Sequence, residues 1–167
     1  MADTEFNGTP IHTAGDLPDV GAPLPAFVVT GADLSDVTSA SLEGRRVVLN
    51  IFPSIDTSVC AMSVRQFNQR AASLPGTTVV TVSKDLPFAL GRFCAAEGIE
   101  NVVTTSAFRS SFGEDYGVTM VDGPLEGLLA RAVVIADAQG VVRYVELVGS
   151  IGQEPDYDAA AAAVLDA

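Results

Sequence analysis

The chain has 167 residues and only two thiols, Cys60 and Cys94. Cys60 lies in the segment Val47–Asn68, VVLNIFPSIDTSVCAMSVRQFN, where a short apolar strand gives way to a helix. The first amides of a helix are unpaired and carry a partial positive charge. Both features favour a thiolate, which is the nucleophilic form of cysteine. Thr57 can direct its hydroxyl towards that sulfur or towards an oxygen of a bound substrate. Pro53 fixes the backbone at the strand exit and limits water access. Position alone also suits a small apolar core cysteine, and both readings of Cys60 stand at this point. Cys94, in DLPFALGRFCAAEGI (85–99), falls on an apolar helical face beside Phe93, where simple packing is the plainer role. Arg131 interrupts the apolar run LLARAVVIA, and a buried arginine ordinarily has an ionic partner. Asp56 reads as a solvated carboxylate at the helix start. His12 could serve a cysteine hydrolase as a base, but its place in the N-terminal extension favours a hairpin histidine.

The elements that must position these side chains can be read from periodicity and breakers. Residues 1–22 are polar and turn-rich and suit an N-terminal hairpin. A strand is expected over 27–30, a doubly buried one over 47–52 and a β-branched one over 77–83. A helix is expected from Ser58 or Val59 to about Ser73, with Met62, Phe67 and Leu74 near one face, stopped by Pro75-Gly76. A second helix opens at Asp85-Leu-Pro and ends at Gly98. A strand over 101–105 and a short helix around 109–116 follow. The runs 132–136 and 141–148 flank the turn Asp137–Gly140 as an antiparallel hairpin, and a last helix spans about 155–166. Alternating strands and helices imply a central mixed sheet with helices on both faces. A thioredoxin-like α/β fold with an N-terminal β-hairpin extension, forming a single domain over 1–167, fits this order.

Pro53, Thr57 and Cys60 have the spacing P-x-x-x-T-x-x-C, and here the sequence resembles the peroxiredoxins. The run NIFPSIDTSVCAMSVRQFN is more closely similar to the thiol peroxidase subfamily, whose members are atypical 2-Cys peroxiredoxins. DLPFALGRFCAAEGI, DGPLEGLLARAVVIAD (122–137) and EPDYDAA (154–160) agree with it, so the resemblance covers nearly the whole chain. It implies that Cys60 is the peroxidatic cysteine, Cys94 the resolving cysteine, and Arg131 the guanidinium beside the reactive sulfur. Pro53 and Thr57 complete the implied active-site shell. The implied activity is reduction of hydrogen peroxide and alkyl hydroperoxides through a Cys60 sulfenic acid and a Cys60–Cys94 disulfide, with thioredoxin as reductant. Local unwinding around both cysteines is expected during that cycle, because two cysteines on separate helices need not meet in the reduced fold. The family is typically homodimeric, so a homodimer is expected.

Composition narrows the alternatives. Nine basic against 21 acidic residues give a formal net charge of -12, which repels nucleic acid and anionic membrane surfaces. The N-terminus has no basic start followed by an apolar stretch, so a cytoplasmic protein is expected. Two cysteines and one histidine do not make a structural zinc site, and no glycine-rich nucleotide cradle is present. No cofactor is expected, since thiols supply the electrons. A non-catalytic redox sensor using the Cys60–Cys94 pair is the main alternative. A dithiol exchanger would want C-x-x-C. A permanent structural disulfide would leave the motif around Cys60 without purpose.

Overall fold

Short β-branched runs build a seven-stranded mixed sheet, and the most apolar of them lie at its centre. The computed structural model describes residues 1–167. In chain order the strands are β1 (Asp3–Phe6), β2 (Thr9–His12), β3 (Val28–Gly31), β4 (Asp36–Thr38), β5 (Arg46–Ile51), β6 (Thr77–Ser83), β7 (Val103–Ser106), β8 (Ala132–Ala136) and β9 (Val142–Leu147). The helices are α1 (Ser58–Ala71), α2 (Pro87–Glu97), α3 (Phe112–Asp115) and α4 (Tyr157–Asp166). β1 and β2 form the separate antiparallel hairpin expected at the N-terminus, and the main sheet has the order β4-β3-β7-β6-β5-β8-β9. β5, β6 and β7 run parallel, while β8 is antiparallel to both β5 and β9. This is a thioredoxin-like arrangement.

Strand alternation gives each face its own core. Val47, Leu49 and Ile51 point one way and pack with Val80, Val82, Val134, Phe112 and Tyr116. The Phe112 and Tyr116 rings stack there with centroids 4.2 Å apart, and the Tyr116 hydroxyl donates to the Pro25 carbonyl at 2.7 Å. Burial pushes that phenol far above its ordinary range. Val48, Val79, Val133 and Ile135 point the other way, under Phe67 of α1 and Ala160 and Val164 of α4. Helix α2 lies on this second face as well. Its Cys94 meets Thr104 of β7, which is in register with Thr81 and, through it, with Asn50 beneath α1.

Several expectations need adjustment. Helices cover both faces of the sheet as expected, but unevenly: α1, α2 and α4 share one face, and short α3 with the segments around it covers the other. Consecutive right-handed crossovers from β5 to β6 to β7 put α1 and α2 on the same face, because they advance across the sheet in one direction. Met62 is 39% exposed. The buried face of α1 is set by Cys60, Val64 and Phe67, spaced at helical intervals, and Met62 falls well round from it. The edge strand β4 is too short and polar to announce itself. Helix α2 begins as expected, with Pro87 in its first turn, and closes on Gly98 in the left-handed conformation at φ 66°.

Gly117 has φ +67°, and a Cβ there would sit 2.3 Å from the Asp16 carbonyl oxygen, so both backbone conformation and space demand glycine. Gly127 has φ +92° with open space around it. In urea unfolding, Gly127→Ala is expected to cost about 1–2 kcal/mol from backbone strain alone. Gly117→Ala is expected to cost more, about 3 kcal/mol. Equal midpoints for the two variants would refute the close approach at Asp16.

Candidate functional site

The loop between β5 and α1 is held by a small set of polar contacts. Pro53 is buried at the strand exit, directly after the buried Phe52. Ser54 organises the turn that follows: its carbonyl accepts from the Thr57 amide at 3.2 Å and from the Thr57 hydroxyl at 3.0 Å. Its own hydroxyl donates to Asp85 Oδ1 at 2.8 Å and accepts from the Asp56 amide at 3.1 Å. Thr57 takes the N-cap position of α1 with extended backbone, and its side chain caps no helix amide. Its hydroxyl hydrogen is directed to Ser54, which leaves the oxygen lone pairs as acceptors. Asp56 is exposed, as a solvated carboxylate should be.

Cys60 sits in the first turn of α1 and is fully buried. Its sulfur accepts a hydrogen bond from Arg131 Nη2 at 3.1 Å. Arg131 is itself 1% exposed and precedes β8, the strand that pairs with β5. Sequence position thus separates the two residues widely while the sheet brings them together. The guanidinium is anchored by the Ile151 carbonyl, which accepts from Nε at 3.1 Å and from Nη2 at 2.8 Å. Nη1 is buried with no protein partner. No carboxylate forms an ion pair with Arg131. A buried cation without a carboxylate is costly unless another anion is nearby, and the Cys60 sulfur is the group in place to be one.

Cys94 is half-buried on α2, with its sulfur 3.5 Å from the Thr104 hydroxyl. It packs against the same apolar cluster as Cys60, formed by Phe52, Ile55, Val64, Leu90 and Ile99 with Phe93 alongside. The two cysteines are not bonded to each other. Pro53, Thr57, Cys60 and Arg131 therefore gather at the β5–α1 junction. Cys94 shares their apolar surroundings from a neighbouring helix.

Two participants carried no signal in the sequence. Ile151 contributes only a backbone carbonyl, which no residue type announces. Its amide donates to the Glu5 carbonyl at 2.8 Å, and the Thr4 hydroxyl donates to the Val148 carbonyl at 2.9 Å. The N-terminal hairpin therefore braces the segment that orients Arg131. Asp85 stood within the segment DLPFALGRFC but without a role. His12 is a hairpin residue and not a partner of either cysteine: its Nδ1 faces Asp122 Oδ2 at 2.5 Å, and its amide donates to Asp122 Oδ1 at 2.9 Å.

A thioredoxin-like sheet that sets a helix-start cysteine under a buried arginine defines a thiol-based redox protein. The Redoxin family model matches residues 19–161. A thiol peroxidase of Mycobacterium tuberculosis is 60% identical over 164 residues, 98% of this chain and 99% of that protein. A thiol peroxidase of Corynebacterium glutamicum is 58% identical over the same coverage. Among solved structures, a peroxiredoxin-like protein from Aquifex aeolicus superimposes with TM-score 0.95 at 38% identity, covering 99% of this chain and 97% of that one. The chain belongs to the Redoxin family and, within it, to the thiol peroxidases of the peroxiredoxin group. It is accordingly an oxidoreductase of the peroxiredoxin type. No helix is long and apolar enough to cross a membrane.

The hairpin brace gives a pH-dependent expectation. The hydrogen bond to Asp122 raises the His12 pKa above 6.5, with the Asp122 charge adding to it. Stability from the pair is therefore fully present below about pH 6.5 and is lost as pH rises through the raised value. His12 is the single histidine, so its ring signals in an NMR titration are unambiguous. A midpoint above 6.5 that falls back in Asp122→Asn is expected; a midpoint insensitive to that substitution would rule out the pairing.

Proposed function

We propose that the chain, acting as a single domain over residues 1–167, reduces hydrogen peroxide and alkyl hydroperoxides at Cys60. The observation that carries this reading is the buried Arg131 guanidinium, 3.1 Å from the Cys60 sulfur and without a carboxylate partner. The Cys60 thiolate attacks the terminal peroxide oxygen, the O–O bond breaks, and the electron pair leaves with the second oxygen. That oxygen takes a proton and departs as water or alcohol. Arg131 pairs with the attacking sulfur and offers the unpartnered Nη1 to charge developing on the peroxide oxygens. The Thr57 oxygen, still free to accept, orients the peroxide hydrogen. Pro53 shields the sulfur from bulk water. Cys60 is left as a sulfenic acid.

Cys94 then resolves the intermediate. Its thiolate attacks the Cys60 sulfur, the S–O bond breaks, and water leaves as the disulfide forms. Thioredoxin reduces the disulfide by thiol exchange and restores both thiols. The apolar cluster shared by the two cysteines supports a short excursion between the reduced and disulfide forms. The family resemblance and the net charge of -12 support a cytoplasmic homodimer that has no nucleic-acid or membrane partner. A redox sensor would need the cysteines alone; the costly burial of Arg131 beside Cys60 favours turnover.

The test is peroxide consumption with a thioredoxin system. Cys60→Ser is expected to abolish turnover. Cys94→Ser should permit one oxidation per chain and then stop. Arg131→Lys keeps the charge but loses the planar fork, and a fall in kcat/KM of about 10²-fold is expected. Full activity in Cys60→Ser, or no peroxide-driven oxidation of the native chain, would refute the proposal.

A further inference from the structure

The two segments that disulfide formation must move meet at one carboxylate. Asp85 precedes α2, the helix that carries Cys94, and reaches across to the turn that leads into α1. Its Oδ1 accepts from the Ser54 hydroxyl at 2.8 Å. Its Oδ2 accepts from the Ile55 amide at 2.7 Å and from the Ser83 hydroxyl at 2.7 Å. Asp85 forms no ion pair, so its charge is met by these neutral donors alone. Bonds from neutral donors to a charged acceptor are the stronger kind. Two of the three donors belong to the Ser54–Thr57 turn, and Ser54 in turn fixes the amides of Asp56 and Thr57. Removing the carboxylate leaves the turn its internal hydrogen bonds and the packing of Ile55, without a polar tie to the start of α2.

Further along, α1 and α2 are joined by contacts of a different kind. Arg65 forms a two-pronged pair with Glu97, both bonds at 3.0 Å, and lies over the Phe93 ring. Asn68 Oδ1 accepts the amides of Glu100 and Asn101 just beyond α2. Those ties hold the distal parts of the helices together. At the end of α1 where Cys60 sits, the polar tie to the start of α2 runs through Asp85, beside the apolar packing of Ile55 and Cys60 with Leu90.

We propose that Asp85 is a positioning residue: it clasps the Ser54–Thr57 turn to the start of α2, keeps Cys60 beneath Arg131 for attack, and lets go as the disulfide closes. The inference deepens the peroxidase reading and rests on it for the meaning of the motion. It assigns opposite effects to one residue, supporting the first step and restraining the second. A residue that merely stabilised the fold would not divide the two steps in this way.

Asp85→Asn keeps one acceptor oxygen and nearly the same shape, and Ser54→Ala removes one of the three bonds to Asp85 together with the acceptor of the Asp56 amide. Quench-flow with thiol alkylation and intact mass follows Cys60 oxidation by hydrogen peroxide. Closure of the disulfide is followed separately with diamide, whose N=N bond takes up the two electrons and two protons released as the thiols join. Diamide does not depend on peroxide chemistry. A native chain that closes with diamide but is inert to peroxide would therefore refute the peroxidase reading alone. In Asp85→Asn, peroxide oxidation is expected to slow about tenfold while diamide closure accelerates, with Ser54→Ala shifted the same way by less. Amide exchange is expected to quicken over residues 54–61 and to stay native in β8 and β9. Diamide closure at the native rate or slower in both variants would overturn the clasp, as would exchange that quickens equally across the whole sheet.

Discussion

Burying a guanidinium against a sulfur is the constraint on which the rest of the structure depends. An arginine 1% exposed and without a carboxylate partner is expensive to place, and most of its surroundings exist to make the placement possible. The pairing of β5 with β8 sets Arg131, immediately before β8, beside the exit of β5 that leads through the Ser54–Thr57 turn to Cys60 at the start of α1. The Ile151 carbonyl takes two of the guanidinium N–H groups and so fixes the plane of the fork. Ile151 is itself held by Glu5, so the small N-terminal hairpin is part of the arginine's support and not an ornament on the sheet. Nothing in this chain of contacts is long, and each member leaves the next little freedom.

The proposed cycle makes a second demand that opposes the first, since the segments around Cys60 and Cys94 must loosen after the sulfur is oxidised. The floor beneath them suits that requirement. Where β5, β6 and β7 pass under α1 and α2, the in-register residues are Asn50, Thr81 and Thr104, all buried and all polar. Two residues earlier on the same face are Val48 and Val79, under the part of α1 that packs with α4. Asn50 donates to the Ser63 hydroxyl, which donates to the Cys60 carbonyl, and Thr104 meets the Cys94 sulfur at the other end of the row. Asn50 Oδ1 and Thr81 Oγ1 are buried without partners, at a cost of about 1–3 kcal/mol each. Such groups are recovered by water when a covering helix lifts, whereas valines would be penalised. The sheet is therefore least adhesive where the proposed cycle moves the helices.

Much of this was legible in the sequence, for identifiable reasons. The buried strands at 47–52, 77–83 and 132–136 are β-branched or apolar runs bounded by turn residues, and α2 is framed by Pro87 and Gly98. Cys60, Thr57 and Pro53 lie within one short segment, so their spacing was visible without a fold. Arg131 was conspicuous because it broke an apolar run, yet its partner could be named only through resemblance. What remained hidden depends on the third dimension. The common face of α1 and α2 follows from crossover handedness. The exposure of Met62 follows from which of two overlapping helical stripes meets the sheet. The Ile151 carbonyl has no side-chain signature at all.

Asp85 illustrates a middle case. As a letter it precedes Leu-Pro at a helix start, where an acidic residue is unremarked because the helix dipole favours it. In the structure its carboxylate turns away from α2 and accepts donors from the turn before α1 and from β6. The same residue type at the same position would satisfy a local explanation and a long-range one, and only the geometry separates them. The distinction matters for the chemistry. Had Asp85 simply capped its own helix, the Ser54–Thr57 turn would have no polar tie to α2, and only the packing of Ile55 would hold it there. Held as it is, the turn couples the order of the reactive loop to the start of the helix bearing the second cysteine. In the proposed cycle, the attack geometry and the resolving geometry are thereby alternatives of one structure.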